Sequence, residues 1–197
     1  MWRVPGFALW LFAAAPLAAQ WSVGAEVGML RFGGTSIDTA TPGAPHRARP
    51  SPSTSYGVRV ERRFGTVGVG LGVLRSTGGV GVENAELAVE EKDMLKFFEI
   101  TAEVSFLIAK PGPGGALRLR IGPVFDRWLL TGGDTTWRTG GRGAASLEWS
   151  LGGRWIGTLE GGAAVTAGVL GQQDLPAEFA RRATWRRAVS AGVRVRL

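Results

Sequence analysis

The side chains that most often carry enzyme chemistry are scarce in this sequence. There is one histidine, His46, and there is no cysteine. A catalytic thiol, a disulfide framework and a cysteine-ligated metal site are therefore excluded. His46 lies in a proline-rich stretch, residues 33–54, where a lone histidine is more often exposed to solvent than catalytic. We therefore expect no enzyme activity, no metal site and no cofactor.

Charged residues, in contrast, follow a regular spacing. Between residues 98 and 108, Phe98, Ile100 and Val104 alternate with Glu99 and Glu103. Successive side chains of a strand point to opposite faces, so the charges share one face. The same parity selects Glu26, Arg59, Glu61, Glu99, Glu103, Arg118, Arg120, Asp126, Arg142, Glu148, Glu160, Arg186, Arg194 and Arg196. Seven acids and seven arginines balance in this set, which predicts an ion-pair network wherever these faces meet.

A second group of cations is concentrated near the end of the chain. Arg181, Arg182, Arg186 and Arg187 surround Trp185. Arginine guanidinium groups match phosphate oxygens in bidentate geometry, so one hypothesis is that this patch binds the phosphates of a lipid. The alternative is a solvated charged rim without a ligand.

Eight segments with a period of two could position these residues. Each is bounded by glycine, proline or polar clusters. The segments are residues 21–32, 55–64, 67–75, 95–109, 116–128, 137–150, 155–168 and 183–197.

The connections between the segments alternate in length. Residues 33–54, 76–94 and 169–182 are long connections, whereas 65–66 and 151–154 are short. In an up-and-down antiparallel sheet, alternate connections lie at the same end, so long loops gather at one end and turns at the other. An even number of strands returns both termini to the turn end. This asymmetry is typical of transmembrane barrels.

Aromatic residues mark both ends of the segments. Trp21, Phe64, Trp149 and Trp155 lie at the turn ends, and Tyr56, Phe98, Trp128, Trp137 and Trp185 lie at the loop ends. All except Trp128 share the apolar parity. Two aromatic rows separated by aliphatic positions indicate a surface that faces a bilayer.

The first twenty residues have the features of a secretory signal peptide. Arg3 precedes an apolar run, and small residues suited to cleavage follow up to Gln20. The run is too short to span a bilayer as a helix. We therefore predict a cleaved signal peptide at residues 1–20 and one barrel domain at residues 21–197.

The signal peptide, the eight segments, the aromatic rows and the terminal alternation of Val189, Ala191, Val193, Val195 and Leu197 resemble the small OmpA/OmpX-type outer-membrane barrels of Gram-negative bacteria. The resemblance implies an all-β, eight-stranded, up-and-down antiparallel transmembrane β-barrel. It also implies a bacterial outer-membrane location, both termini in the periplasm, and recognition by the barrel-assembly machinery. The last strand of such proteins commonly ends in Phe or Trp, whereas this chain ends in Leu197.

An eight-stranded barrel is only wide enough for its own side chains to fill the interior. We therefore expect a filled lumen and a structural or surface-interaction role for a monomer. Its partners would be outer-membrane lipids and lipopolysaccharide rather than nucleic acid, despite the formal charge of +7. Alternatives are a narrow channel for small solutes, a lipid-modifying enzyme, and, for the fold, a soluble lipocalin-like barrel with its apolar face inside.

Overall fold

A computed structural model describes residues 20–33, 36–38, 47–83, 88–131, 135–167, 179–180 and 183–197. The predicted signal peptide lies outside these residues except for Gln20. In the described part of the chain, no helix is long and apolar enough to cross a membrane.

Eleven strands make up the described structure. Eight long strands are β1 (Gln20–Gly33), β4 (Ser53–Phe64), β5 (Val67–Glu83), β6 (Ala88–Ala109), β7 (Gly115–Leu130), β8 (Thr135–Gly152), β9 (Trp155–Thr166) and β11 (Thr184–Arg196). Three short strands are β2 (Ser36–Asp38), β3 (Arg47–Pro50) and β10 (Phe179–Ala180). Each of the eight predicted segments overlaps one long strand, although several strands have different bounds.

The long strands close into a ring. Each pairs antiparallel with the next long strand along the chain, from β1 and β4 through to β9 and β11. The ring closes where β1 pairs with β11, from Ser22 opposite Arg196 to Gly33 opposite Trp185. The predicted fold class, an eight-stranded up-and-down antiparallel β-barrel, is confirmed.

One end of the barrel, here called the turn end, carries the short connections. They are residues 65–66, 110–114 and 153–154. Gly65 has a φ of 62°, a left-handed conformation that glycine adopts without steric cost and that suits a two-residue hairpin turn. The backbone amide of Leu197 donates to the carbonyl of Trp21 at 2.9 Å, so the first and last strands also meet at this end.

The opposite end, here called the loop end, differs from the sequence prediction. Residues 76–94 were expected to form a loop, but β5 continues to Glu83 and β6 begins at Ala88. The expected loop 33–54 contains β2 and β3, and β3 pairs with β5 beyond the barrel. Glycines and acidic residues had suggested a break in the strand. Backbone pairing with β6 and β3 overrides that local preference, because strand formation depends on tertiary context.

Side chains alternate between the two faces of the barrel wall. Aliphatic side chains on the outer face remain exposed; 48% of Val27 and 61% of Leu71 are accessible. Six aromatic side chains at the two ends of the barrel are also exposed on this face: Trp21, Tyr56, Trp137, Trp149, Trp155 and Trp185. Polar and charged side chains make up most of the buried inner face, apart from an apolar layer near the loop end. The apolar surface of the wall therefore lies mainly outside.

Candidate functional site in the barrel interior

The strand period explains why charged side chains enter the interior. On β4, Val58 faces outward while Arg59 and Glu61 face inward, and these two charged residues are only 6% and 1% exposed. Desolvating a charge is costly unless a partner and hydrogen bonds compensate for it. The inward-facing groups must therefore neutralise one another.

Glu160 on β9 lies at the centre of the ion-pair network, where three arginines contact it. Arg59 donates to its two carboxylate oxygens, from Nη1 at 2.7 Å and from Nη2 at 3.0 Å. Arg142 Nη2 donates to Oε1 of Glu160 at 2.5 Å and its Nη1 reaches Glu103. Arg59 also lies 3.4 Å from Glu26. Bidentate pairs of this kind are among the stronger hydrogen bonds in proteins.

A second group of pairs lies toward the turn end. Arg194 Nη1 donates to Glu61 at 2.5 Å and to Glu148 at 3.1 Å. Arg63 Nη2 donates to the same two carboxylates, at 3.1 Å to Glu61 and 2.7 Å to Glu148. Arg120 connects the two groups, since its Nη2 donates to Glu148 at 3.1 Å and its Nε lies 3.1 Å from Glu160.

Glycine makes room for this second group. A Cβ atom on Gly68 would lie 2.6 Å from Oε1 of Glu61 and 2.5 Å from Oγ of Ser105. Those two atoms are joined by a 2.6 Å hydrogen bond that the serine donates. The inward-facing glycine therefore provides space for a carboxylate and the hydroxyl bound to it.

Toward the loop end, the polar network gives way to an apolar layer. Arg186 Nη1 donates to Asp126 at 2.6 Å, and its other amino group contacts Glu99. The Arg186 guanidinium lies 4.9 Å from the centre of the Phe97 ring. Beyond it, five buried side chains pack together: Leu30, Phe32, Leu95, Phe97 and Trp128. These five residues are called the apolar plug below.

The apolar plug is held by ring contacts. Phe32 and Trp128 meet edge to face at 5.3 Å between centroids, and Phe97 lies 4.5 Å from Trp128. Sequence reasoning did not identify the plug. The signal was present, because Leu30 and Phe32 share the parity of Glu26, and Trp128 shares that of Asp126.

The predicted lumen residues are brought together with one exception. Among the contacts of the described residues, all the predicted acids and Arg59, Arg118, Arg120, Arg142 and Arg194 take part in ion pairs. Arg196 is instead exposed at the turn end of the barrel. It lies two residues after Arg194, which pairs with Glu61 and Glu148. Arg63 was missed, although it shares the parity of Arg59 and Glu61.

The predicted lipid-binding cluster is divided by the structure. Arg181 and Arg182 lie outside the described residues. Assigning Arg186 to this cluster was wrong, because its strand parity turns it inward to Glu99 and Asp126. Arg187 faces outward, with its guanidinium 4.8 Å from the centre of the Trp185 ring.

Other outward-facing arginines lie beside aromatic rings. Arg127 lies 5.8 Å from the Trp137 ring at the loop end. At the turn end, Arg62 lies 5.4 Å from the Trp21 ring and 5.0 Å from the Phe64 ring. Such cation–π pairs suit positions where one part of the side chain meets an apolar environment and the other part meets water.

Side chains that could bind a metal ion lie only partly within the described residues. His46 lies outside the described residues. Within them, no group of three or more His, Cys, Asp or Glu side chains is arranged to hold a metal ion.

Comparison with known proteins supports the fold. The chain aligns with the outer membrane protein OprG from Pseudomonas aeruginosa at a TM-score of 0.62 and 12% identity, covering 91% of this chain and 96% of OprG. Neisserial surface protein A aligns at a TM-score of 0.56 and 14% identity, with 91% and 99% covered. No protein-family model and no curated protein matches the sequence. The chain has the barrel fold of small outer-membrane proteins, and the resemblance inferred from its sequence is confirmed at the level of fold.

Proposed function

We propose that the protein is an integral outer-membrane β-barrel with a structural or surface-interaction role and both termini in the periplasm. The observation that carries the proposal is the exposed apolar wall between two aromatic rows, which surrounds an ion-paired interior. Water-soluble monomers rarely expose contiguous apolar surface on this scale. A soluble lipocalin-like barrel would have the opposite arrangement, with apolar side chains inside.

Membrane insertion can be tested by refolding the full chain into phospholipid vesicles. We expect a compact band on a gel without heating that shifts after boiling, and protein that stays with the vesicles in carbonate wash. A protein that refolds to the same β-content in water without detergent, and remains monomeric, would contradict the proposal.

A filled lumen is the second part of the proposal. The apolar plug and the ion pairs occupy successive layers of the interior, and eight strands leave little space beyond that of their side chains. We therefore favour a non-conducting barrel over a narrow channel. Planar-bilayer recordings should show no unitary steps above those of empty membranes. Regular steps that scale with protein concentration would favour the channel.

Lipopolysaccharide is the proposed lipid partner at the loop end. Arg31 and Arg187 face outward directly opposite each other on β1 and β11. Like charges in this position repel, and a phosphate between them would remove the repulsion. The Arg187 guanidinium also contacts the Trp185 ring, and Arg181 and Arg182 precede Trp185 in the chain.

The lipid proposal is tested with the double variant Arg31→Gln/Arg187→Gln. We expect it to co-purify with several-fold less lipopolysaccharide than wild type. The control, Lys110→Gln/Arg154→Gln, removes two exposed charges from the turn end and should leave the amount unchanged. Equal loss in both variants would show that net charge, rather than this pair, determines the association.

We propose that the protein has no catalytic activity. Its proposed partner during insertion is the barrel-assembly machinery. The rival enzymatic role is a modification of lipid A. Mass spectra of lipid A from cells with and without the protein should be identical, and a new acyl mass in cells that carry it would favour the enzyme.

A further inference from the structure

A cavity of about 570 Å³ opens at the turn end of the barrel. It lies between the 65–66 turn, the 110–114 turn and the end of β11. Four cationic residues line it, Arg63, Lys110, Arg118 and Arg196, against one carboxylate, that of Glu148. The lining is therefore strongly positive, unlike the balanced interior.

The carboxylate does not neutralise this lining, because it is already shared. Glu148 accepts hydrogen bonds from Arg63 at 2.7 Å and from Arg120 and Arg194 at 3.1 Å each. Glu61, the next carboxylate inward, is likewise contacted by Arg63, Arg120 and Arg194. The cations at the mouth thus outnumber the charges available to offset them.

Arg118 is the buried cation of this lining whose contacts are long. Its side chain is only 5% exposed, yet its nearest carboxylate oxygen, on Glu148, is 3.6 Å from Nε. Nη1 lies 3.5 Å from Oγ of Ser105, at the limit of a hydrogen bond. Nε is buried and has no hydrogen-bond acceptor among the described residues. A buried guanidinium with unfilled donors is costly, and an anion in the adjoining cavity would fill them.

We propose that the turn-end cavity binds a compact oxyanion, such as phosphate or the phosphate group of a small solute. Arg118 and Arg63 supply the inner donors, and Lys110 and Arg196 attract the anion at the rim. Planar guanidinium groups suit the tetrahedral oxygens of phosphate, whereas the flexible ammonium acts as a point charge. The site is separate from the proposed lipopolysaccharide contact, which lies at the opposite end.

The test is calorimetric titration of inorganic phosphate into the full chain in phosphatidylcholine nanodiscs, with chloride as the background anion. We expect saturable binding at about one phosphate per barrel. The variant Arg118→Gln should weaken it at least tenfold. Because Arg118 is buried, Lys110→Gln/Arg196→Gln provides a second variant that leaves the interior intact, and several-fold weakening is expected.

A matched control separates a site from general charge attraction. Arg75→Gln/Arg127→Gln removes two exposed cations from the loop end that belong to neither proposed site, and it should leave phosphate binding unchanged. No saturable binding in the millimolar range, or equal weakening in the rim and control variants, would overturn the proposal.

Adding phosphatidylglycerol to the nanodiscs distinguishes two sources of the bound phosphate group, a lipid and a soluble anion. Competition with phosphate would assign the site to a lipid headgroup, and lack of competition to a soluble anion.

Discussion

Removing Arg59 should destabilise the barrel far more than removing an arginine on its surface. The variant is Arg59→Gln, which keeps much of the side-chain length but loses the charge. Arg59 donates to Glu160 at 2.7 and 3.0 Å and lies 3.4 Å from Glu26 and 3.5 Å from Glu103. Those carboxylates stay in the interior after the substitution.

The magnitude follows from these contacts. Breaking a buried ion pair by removing one partner typically costs about 3–5 kcal/mol. Two charge-assisted hydrogen bonds of about 1.5–3 kcal/mol each give a similar range. Glu160 keeps Arg142 and Arg120, so it is not left alone. We expect a loss of about 3 kcal/mol in the free energy of unfolding, roughly a hundredfold in the equilibrium constant.

The assay is urea unfolding in phospholipid vesicles, followed by tryptophan fluorescence and by the heat-dependent gel shift. Arg154→Gln is the control, because Arg154 is exposed in the turn between β8 and β9. Its effect should stay within about 0.5 kcal/mol. The double variant Arg59→Met/Glu160→Met should lose at least about 1 kcal/mol less than the sum of its single variants. Equal stability of Arg59→Gln and Arg154→Gln would refute the reasoning.

Three further predictions concern the apolar plug, the ion-paired interior and the outer face of the wall. Trp128→Ala removes the largest buried side chain of the apolar plug and should cost about 3–5 kcal/mol in the same unfolding assay, with Trp137→Ala as a surface control. Gly68→Val should separate Glu61 from Ser105 and lower stability by about 1–3 kcal/mol, whereas valine at Gly161, where a Cβ meets open space, should cost less. Leu71→Arg, on the outer face near mid-strand, should lower stability by about 2–4 kcal/mol in vesicles, and an unchanged value would argue that this face does not meet hydrocarbon.

The strands were predictable because one physical pattern repeats eight times. A face against hydrocarbon must be apolar, and a narrow interior must hold paired charges, so the parity of Val58, Arg59, Val60 and Glu61 is readable without coordinates. The ends of the strands were less readable. Residues 76–83 became strand through pairing that no local signal records.

The site was predictable in composition but not in pairing. Parity identified the inward charges, but it does not give their height along the barrel axis. Arg63 and Arg196 illustrate this, since both share the inward parity. Arg63 lies level with Glu61 and Glu148, whereas Arg196 lies past them at the mouth. The stagger between strands decides which arginine meets which acid, and it is visible only in the register.

The pairing of β1 with β11 also constrains how the molecule can form. Its twelve residue pairs join the two strands that are farthest apart in sequence. Until the last strand arrives, the growing sheet has two open edges whose amides and carbonyls cannot be left bare in lipid. Insertion and closure of the barrel should therefore be concerted, and partly built sheets should be prone to aggregate. A chain break within β11 should abolish folding of the whole barrel rather than disorder one strand.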